Sequence, residues 1–280
     1  MLFTVEMLPR QFKDLHAACQ QVAHRLPKAQ LQVFVPHING SSYNHVLEAV
    51  ANLVNHGYQV VPHLAVRNLQ KDEHFDRFAD AYAKLGVRSM LLLGGDNPEP
   101  RFFHSVGEFL ADETALAGMK LEQIFFPTFP DGHPHLPQVD ALDHLKAKCA
   151  LADKRGLTTR LINQVTFEAS SIIEHRAQLA EYGINAPLHL GCVGPTNFVK
   201  MFKTATMIGL NRAFKLANSH DLMRLIMHYN LDAFVTPLLE EKHLGGIHFF
   251  PFGNYSSSLK RLADFAELVS TQESECALPP

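Results

Sequence analysis

The chain is 280 residues long with a formal charge of -3 and a pI near 6.6. It has no basic excess of the kind that binds nucleic acid or an anionic membrane, so a small molecule is the expected partner. Four cysteines without a CxxC pair, no apolar run of the roughly 18 residues a membrane span needs, and an N-terminus without a secretory pattern predict a reduced, cytoplasmic protein.

In chain order, the first element is the apolar strand 2–6, which ends in Glu6. A second strand over 31–37 reaches His37. A helix capped by Ser42 follows, with Val46, Val50, Leu53 and Val54 on one face and Gly57 as its left-handed terminator. Strand 59–64 leads into His63, and the stripe Phe75, Phe78, Ala79, Tyr82 and Leu85 predicts a helix stopping at Gly86. Strand 88–94 ends at Gly94-Gly95-Asp96-Asn97-Pro98, where a carboxylate and two residues without side chains stand at the exit of a buried strand.

The pattern continues through strand 121–129, which runs towards His133. Next comes a helix with Val139, Leu142, Leu145 and Cys149 on one face, ending before Gly156, and strand 157–164 closes on Gln164. Ile172, His175, Leu179 and Tyr182 then lead to Gly183, strand 187–192 and a last strand at 246–251. Short apolar strands alternating with amphipathic helices indicate an α/β protein, and polar residues at strand ends indicate a site on the carboxyl face.

Eight strands in a chain of this length predict a single-domain (β/α)8 TIM barrel over residues 1–270, with 271–280 as a flexible polar tail. The alternative is a doubly wound open sheet, which calls for a glycine-rich phosphate loop after its first strand. Here that position holds Met7-Leu8-Pro9-Arg10. The chain contains 17 histidines. They show no HExxH or other common zinc spacing, so most read as surface or helix-face residues and no metal site is expected. His63 and His133 stand out because each lies at or just past a strand end, and His37 and His248 occupy similar positions.

Taken in order, several motifs resemble the flavin-dependent methylenetetrahydrofolate reductases over nearly the whole chain. They are Thr4-Val5-Glu6-Met7-Leu8-Pro9, Pro62-His63-Leu64, Gly94-Gly95-Asp96, Phe129-Pro130-Asp131-Gly132-His133-Pro134, Leu145-Lys146-Ala147-Lys148, Asn163-Gln164 and His248-Phe249. The resemblance implies a barrel with FAD across its carboxyl face. NADH or NADPH would reduce the flavin and leave, and 5,10-methylenetetrahydrofolate would then take hydride to become 5-methyltetrahydrofolate.

It further implies Glu6 as the acid that protonates the leaving nitrogen, its pKa raised by desolvation, and Asp96 as a charge between flavin and folate. Gln164, Asp96 and Phe198 would meet the folate. His37, His63, Gly94, Gly95, Asp96, Phe129, His133 and Lys148 would hold FAD. Phe198, Met201 and Phe202 also form an apolar stripe suited either to the core or to a second copy of the chain in a homo-oligomer.

The sequence departs from the family pattern in ways that mark a divergent member, and without the family's C-terminal extension the resemblance implies the short, bacterial type. Gly94 stands where the family has arginine, Pro36-His37-Ile38 where it has Thr-Tyr-Gly, His135 where it has glutamate, and Ala147 where a second basic residue is usual. Two lost positive charges lower diphosphate affinity unless Arg67, Arg101 or Lys146 compensates. Two other readings stay open: a related barrel of one-carbon metabolism with altered or lost FAD use, serving methyl transfer or folate binding, and a metal-dependent hydrolase using His63, His133 and Asp96.

Overall fold

The computed structural model describes residues 1–37, 43–69, 72–95, 97–133, 136–197, 199–201, 224, 227–239, 241 and 244–276, with the backbone alone for 72–77 and 272–276. Eight parallel strands close into a barrel in sequence order, each hydrogen-bonded to the next and the last to the first. They are β1 (Leu2–Glu6), β2 (Leu31–Val35), β3 (Gln59–Ala65), β4 (Ser89–Leu93), β5 (Gln123–Thr128), β6 (Thr158–Asn163), β7 (Leu188–Val193) and β8 (Leu244–Phe250). This is the (β/α)8 barrel the strand count predicts, and the open-sheet alternative is set aside.

Among the described residues the helices are α1 (Phe12–Val22), α2 (Tyr43–Asn55), α3 (Asp72–Lys84), α4 (Val106–Ala111), α5 (Gln138–Lys154), α6 (Ala169–Glu181), α7 (Leu231–Val235) and α8 (Tyr255–Cys276). The predicted stripes face the barrel: Val46, Val50 and Leu53 on α2 are buried, as are Ile172, His175 and Leu179 on α6. Gly57, Gly86, Gly156 and Gly183 all have positive φ, between 70 and 80°, as left-handed helix terminators require.

One sequence expectation meets a different outcome. Val139 lies in the first turn of α5 and is 57 % exposed, so that helix packs through Leu142, Leu145 and Ala152 instead. Regular helix runs on to 276, into the stretch read from sequence as a polar tail, and Thr271 Oγ1 donates to the Glu267 carbonyl at 3.0 Å. Ser42 lies outside the described residues.

Strand alternation divides the wall into two faces. Outward residues such as Val5, Val33, Leu64, Leu92, Phe126, Leu190 and Phe249 are buried against the helices in one continuous core. A smaller cluster, Phe34, Val61, Leu91, Phe125 and Ile162, fills one side of the barrel interior. The seam between first and last units is closed by the β1–β8 ladder, by packing of α1 on α8, and by Arg25 bridging Asp264 and Glu267 at 2.6 and 2.5 Å.

Candidate active site at the carboxyl ends of the strands

Glu6 is the last residue of β1 and is half-buried beside Phe34 of β2 in the ladder. Burial pushes its carboxyl pKa up to about 7, so the group holds a proton near neutrality. Around the same face stand His37 just after β2, His63 near the end of β3, Gly94 and Gly95 after β4, Phe129 and His133 after β5, and Gln164 after β6. The order of the strands therefore gathers eight of the residues singled out from sequence on one end of the barrel.

Their local geometry is specific. His63 lies on the same face of β3 as Val61 and turns inward, where its ring meets Phe34 edge-on with centroids 6.0 Å apart. Its Nε2 is buried without a hydrogen-bond partner. Burial, with a smaller push from His37, lowers its pKa to about 3, so the imidazole is neutral. His37 stacks on Tyr43 at 3.9 Å, and Phe129 meets His133 edge-on at 4.6 Å.

Gln164 accepts the Val165 N–H on its Oε1 at 3.0 Å, while its backbone N–H donates to the Thr128 carbonyl at 2.8 Å. The amide is thereby oriented with its oxygen turned back to the chain. Beside it, Asn163 replaces the missing rung between β6 and β7: its Oδ1 accepts the Gly191 N–H and its Nδ2 donates to the Gly191 carbonyl, both at 2.8 Å. A side chain at Gly191 would collide with the Asn163 carbonyl, so this close approach requires glycine.

The β3 and β4 exits are tied together. Arg67 N–H donates to the Gly94 carbonyl at 2.9 Å, Asn97 N–H to Asn68 Oδ1 at 3.1 Å, and Asn97 Nδ2 to the Arg67 carbonyl at 3.0 Å. Gly95 has φ 87°, and a Cβ there would come within 2.8 Å of Asn68 Oδ1 and 2.9 Å of the Ala65 Cβ. The two exits form a hydrogen-bonded double loop that requires glycine at position 95.

A family model described as Methylenetetrahydrofolate reductase matches residues 1–221. The chain belongs to the methylenetetrahydrofolate reductase family. That membership and the barrel support a folate-related one-carbon reductase, an oxidoreductase acting on folate.

Not every predicted site residue of this reductase-family barrel joins the cluster. Lys148 sits midway along α5 with its ammonium 5.4 Å from the Phe126 ring, between helix and barrel wall, and burial lowers its pKa to about 8. Asp96 and Phe198 lie outside the described residues, as does His135. Met201, of the apolar stripe, is buried. His248 is not at a strand end: it lies inside the barrel, where Thr4 Oγ1 and its Nδ1 are hydrogen-bonded at 2.9 Å.

The interior holds polar groups that sequence reasoning did not single out. His189 on β7 takes a 3.4 Å contact from Arg160 of β6 and fills the space that Gly246 leaves open. Its pKa falls to about 3 through burial and the nearby Arg160, and that of His248 lies well below normal through burial and its neighbours His189 and His63. The signal was present as a single histidine amid apolar residues in three strands, Pro62-His63-Leu64, Leu188-His189-Leu190 and Ile247-His248-Phe249. Among the described residues no three His, Cys, Asp or Glu side chains come together as a metal cluster, and no helix is long and apolar enough to cross a membrane.

Proposed function

We propose that the protein interconverts 5,10-methylenetetrahydrofolate and 5-methyltetrahydrofolate with FAD as its cofactor and NADH or NADPH as co-substrate. The observation that carries this reading is Glu6, a carboxyl whose pKa burial raises to about 7 at the end of β1, on the face where the family's substrates would bind. Opening the five-membered ring of the folate needs a proton at the leaving nitrogen, and a carboxylic acid matched to neutral pH is suited to give it.

The residues present fit a flavin dinucleotide. The interior side chains Phe34, Leu91 and Phe125 give an apolar floor, His63 offers a buried ring nitrogen that lacks a partner, and Gly94-Gly95 leave the β4 rim without side chains. When bound, FAD supplies a two-electron carrier between the nicotinamide and the folate, which would occupy the same face in turn in a ping-pong cycle. His37, His63, Gly94, Gly95, Phe129 and His133 would hold the cofactor, with Asp96 beside it.

Gln164, its oxygen committed to Val165, would offer its amide N–H groups to the pterin. Asp96 would favour the cationic iminium that ring opening creates. Lys148, its ammonium 5.4 Å from the Phe126 ring, would bring a positive charge to the cofactor from α5.

The test is the absorbance spectrum of the purified protein under anaerobic conditions. Flavin bands that bleach with NADH or NADPH and return with methylenetetrahydrofolate support the reading. A protein that binds no added FAD, or a flavin indifferent to the folate, contradicts it.

A further inference from the structure

Arg67 follows β3 in a short turn, Val66–Asn68, and its backbone is fixed to the β4 rim by the bonds to Gly94 and Asn97. Its side chain runs past Gly94, where an added Cβ would lie 3.9 Å from the Arg67 Cδ. Its Nε is buried with no hydrogen-bond partner, and among the described residues Arg67 makes no ion pair. The other cations considered from sequence at this end, Arg101 and Lys146, are exposed, whereas Arg67 is half-buried.

A guanidinium cannot discharge by losing its proton, and its planar fork matches paired anionic oxygens. Held on a rim tied by backbone hydrogen bonds, with an N–H left unsatisfied, it lacks only an acceptor. We propose that Arg67, given room by the bare Gly94, is the seat for the phosphoryl oxygens of the dinucleotide cofactor. The inference rests on the flavin reading and adds to it the residue that would distinguish FAD from an uncharged flavin. Gly94 is not in the left-handed region, so its backbone also accepts a side chain, and one grown from it enters the space beside the Arg67 stem.

The experiment titrates apo protein with FAD and with riboflavin, following flavin fluorescence, and repeats both with Arg67→Met. The expected result is an FAD Kd raised about 10- to 100-fold, the loss of a charge-assisted contact, with riboflavin affinity unchanged. Gly94→Arg in the Arg67→Met background should recover most of the FAD affinity. Arg67→Gln, which keeps an N–H donor but not the charge, gives the same reading if the Met variant does not fold.

Equal FAD affinity in wild type and variant, or equal weakening of FAD and riboflavin, overturns the proposal while leaving the flavin reading intact. A variant that weakens tetrahydrofolate but not FAD also overturns it, because the guanidinium then serves the folate's carboxylates. Wild-type protein that binds neither flavin overturns both readings.

Discussion

The two faces of the barrel wall are built on opposite terms. The outward face is largely apolar and packs against helices with its backbone bonds made in the ladders, as at Val5, Leu92, Phe126 and Phe249, with Thr128 of β5 hydrogen-bonded to His175 of α6 as a polar exception. The inward face carries Thr4, Glu6, His63, Arg160, His189 and His248, with buried atoms of His63, His189, His248 and Arg160 lacking partners. Unsatisfied buried polar atoms and desolvated acids cost stability. The outward face holds the fold together, and the inward face keeps polar groups at a cost in stability.

Acid is the strongest way to break this arrangement. His63 and His189 have pKa values near 3 and His175 near 4, all lowered chiefly by burial, against 6.5 in the unfolded chain. Between pH 6.5 and 4 the unfolded state binds more protons at these rings, so the histidine contribution to stability is full above about 6.5 and falls as pH drops. The loss reaches about 2 kcal/mol per histidine by pH 5. Denaturant midpoints across pH 4–8 in a Glu6→Gln background, which removes the opposing carboxyl, measure it, and a flat profile would mean that these rings are not held neutral.

Next is the outward face. Phe126 is fully buried between β5 and α5, so Phe126→Ala should cost about 3–5 kcal/mol in chemical denaturation. Because Lys148 lies over that ring, the variant also tests whether α5 packing supports cofactor affinity.

Glu6 gives an effect of opposite sign. Its folded pKa of about 7 exceeds the ordinary 4.5, so the native state binds the extra proton between those values and loses stability as pH rises through the window. Glu6→Gln should therefore stabilise the protein at pH 8 by up to about 3 kcal/mol and leave it unchanged at pH 4. A thermal melt series on both proteins reads this directly, and a destabilised variant at pH 8 would show that the carboxylate has partners.

The smallest expected effect is at Thr4. Thr4→Val removes the hydroxyl bonded to His248 Nδ1 and leaves a second buried ring nitrogen unpaired, for a loss of about 1–3 kcal/mol. Unaltered stability would show that this interior bond contributes nothing.

The outer face was legible in the sequence because it repeats. Apolar strands, helical stripes and the terminating glycines at 57, 86, 156 and 183 each carry a local signal, and together they locate all eight strands within a few residues. The strand-end residues from Glu6 to Gln164 were legible for the same reason, since a polar residue after an apolar run marks an exit.

The interior was less visible. The His189 contact with Arg160 and the Thr4 bond to His248 join residues far apart in sequence, and only closure of the barrel brings them together. The Asn163 link to Gly191 depends on a missing ladder rung that composition does not encode. Val139 misled because periodicity places it on the helix stripe, while the first turn of α5 stands clear of the wall.

The most direct test of the account separates the two half-reactions in Glu6→Gln by anaerobic stopped-flow absorbance. If Glu6 is the acid that opens the folate ring, flavin reduction by NADH or NADPH proceeds at the wild-type rate, and reoxidation by methylenetetrahydrofolate slows about 10²- to 10⁴-fold. Unchanged reoxidation, or equal slowing of both half-reactions in a folded, FAD-loaded variant, would contradict it.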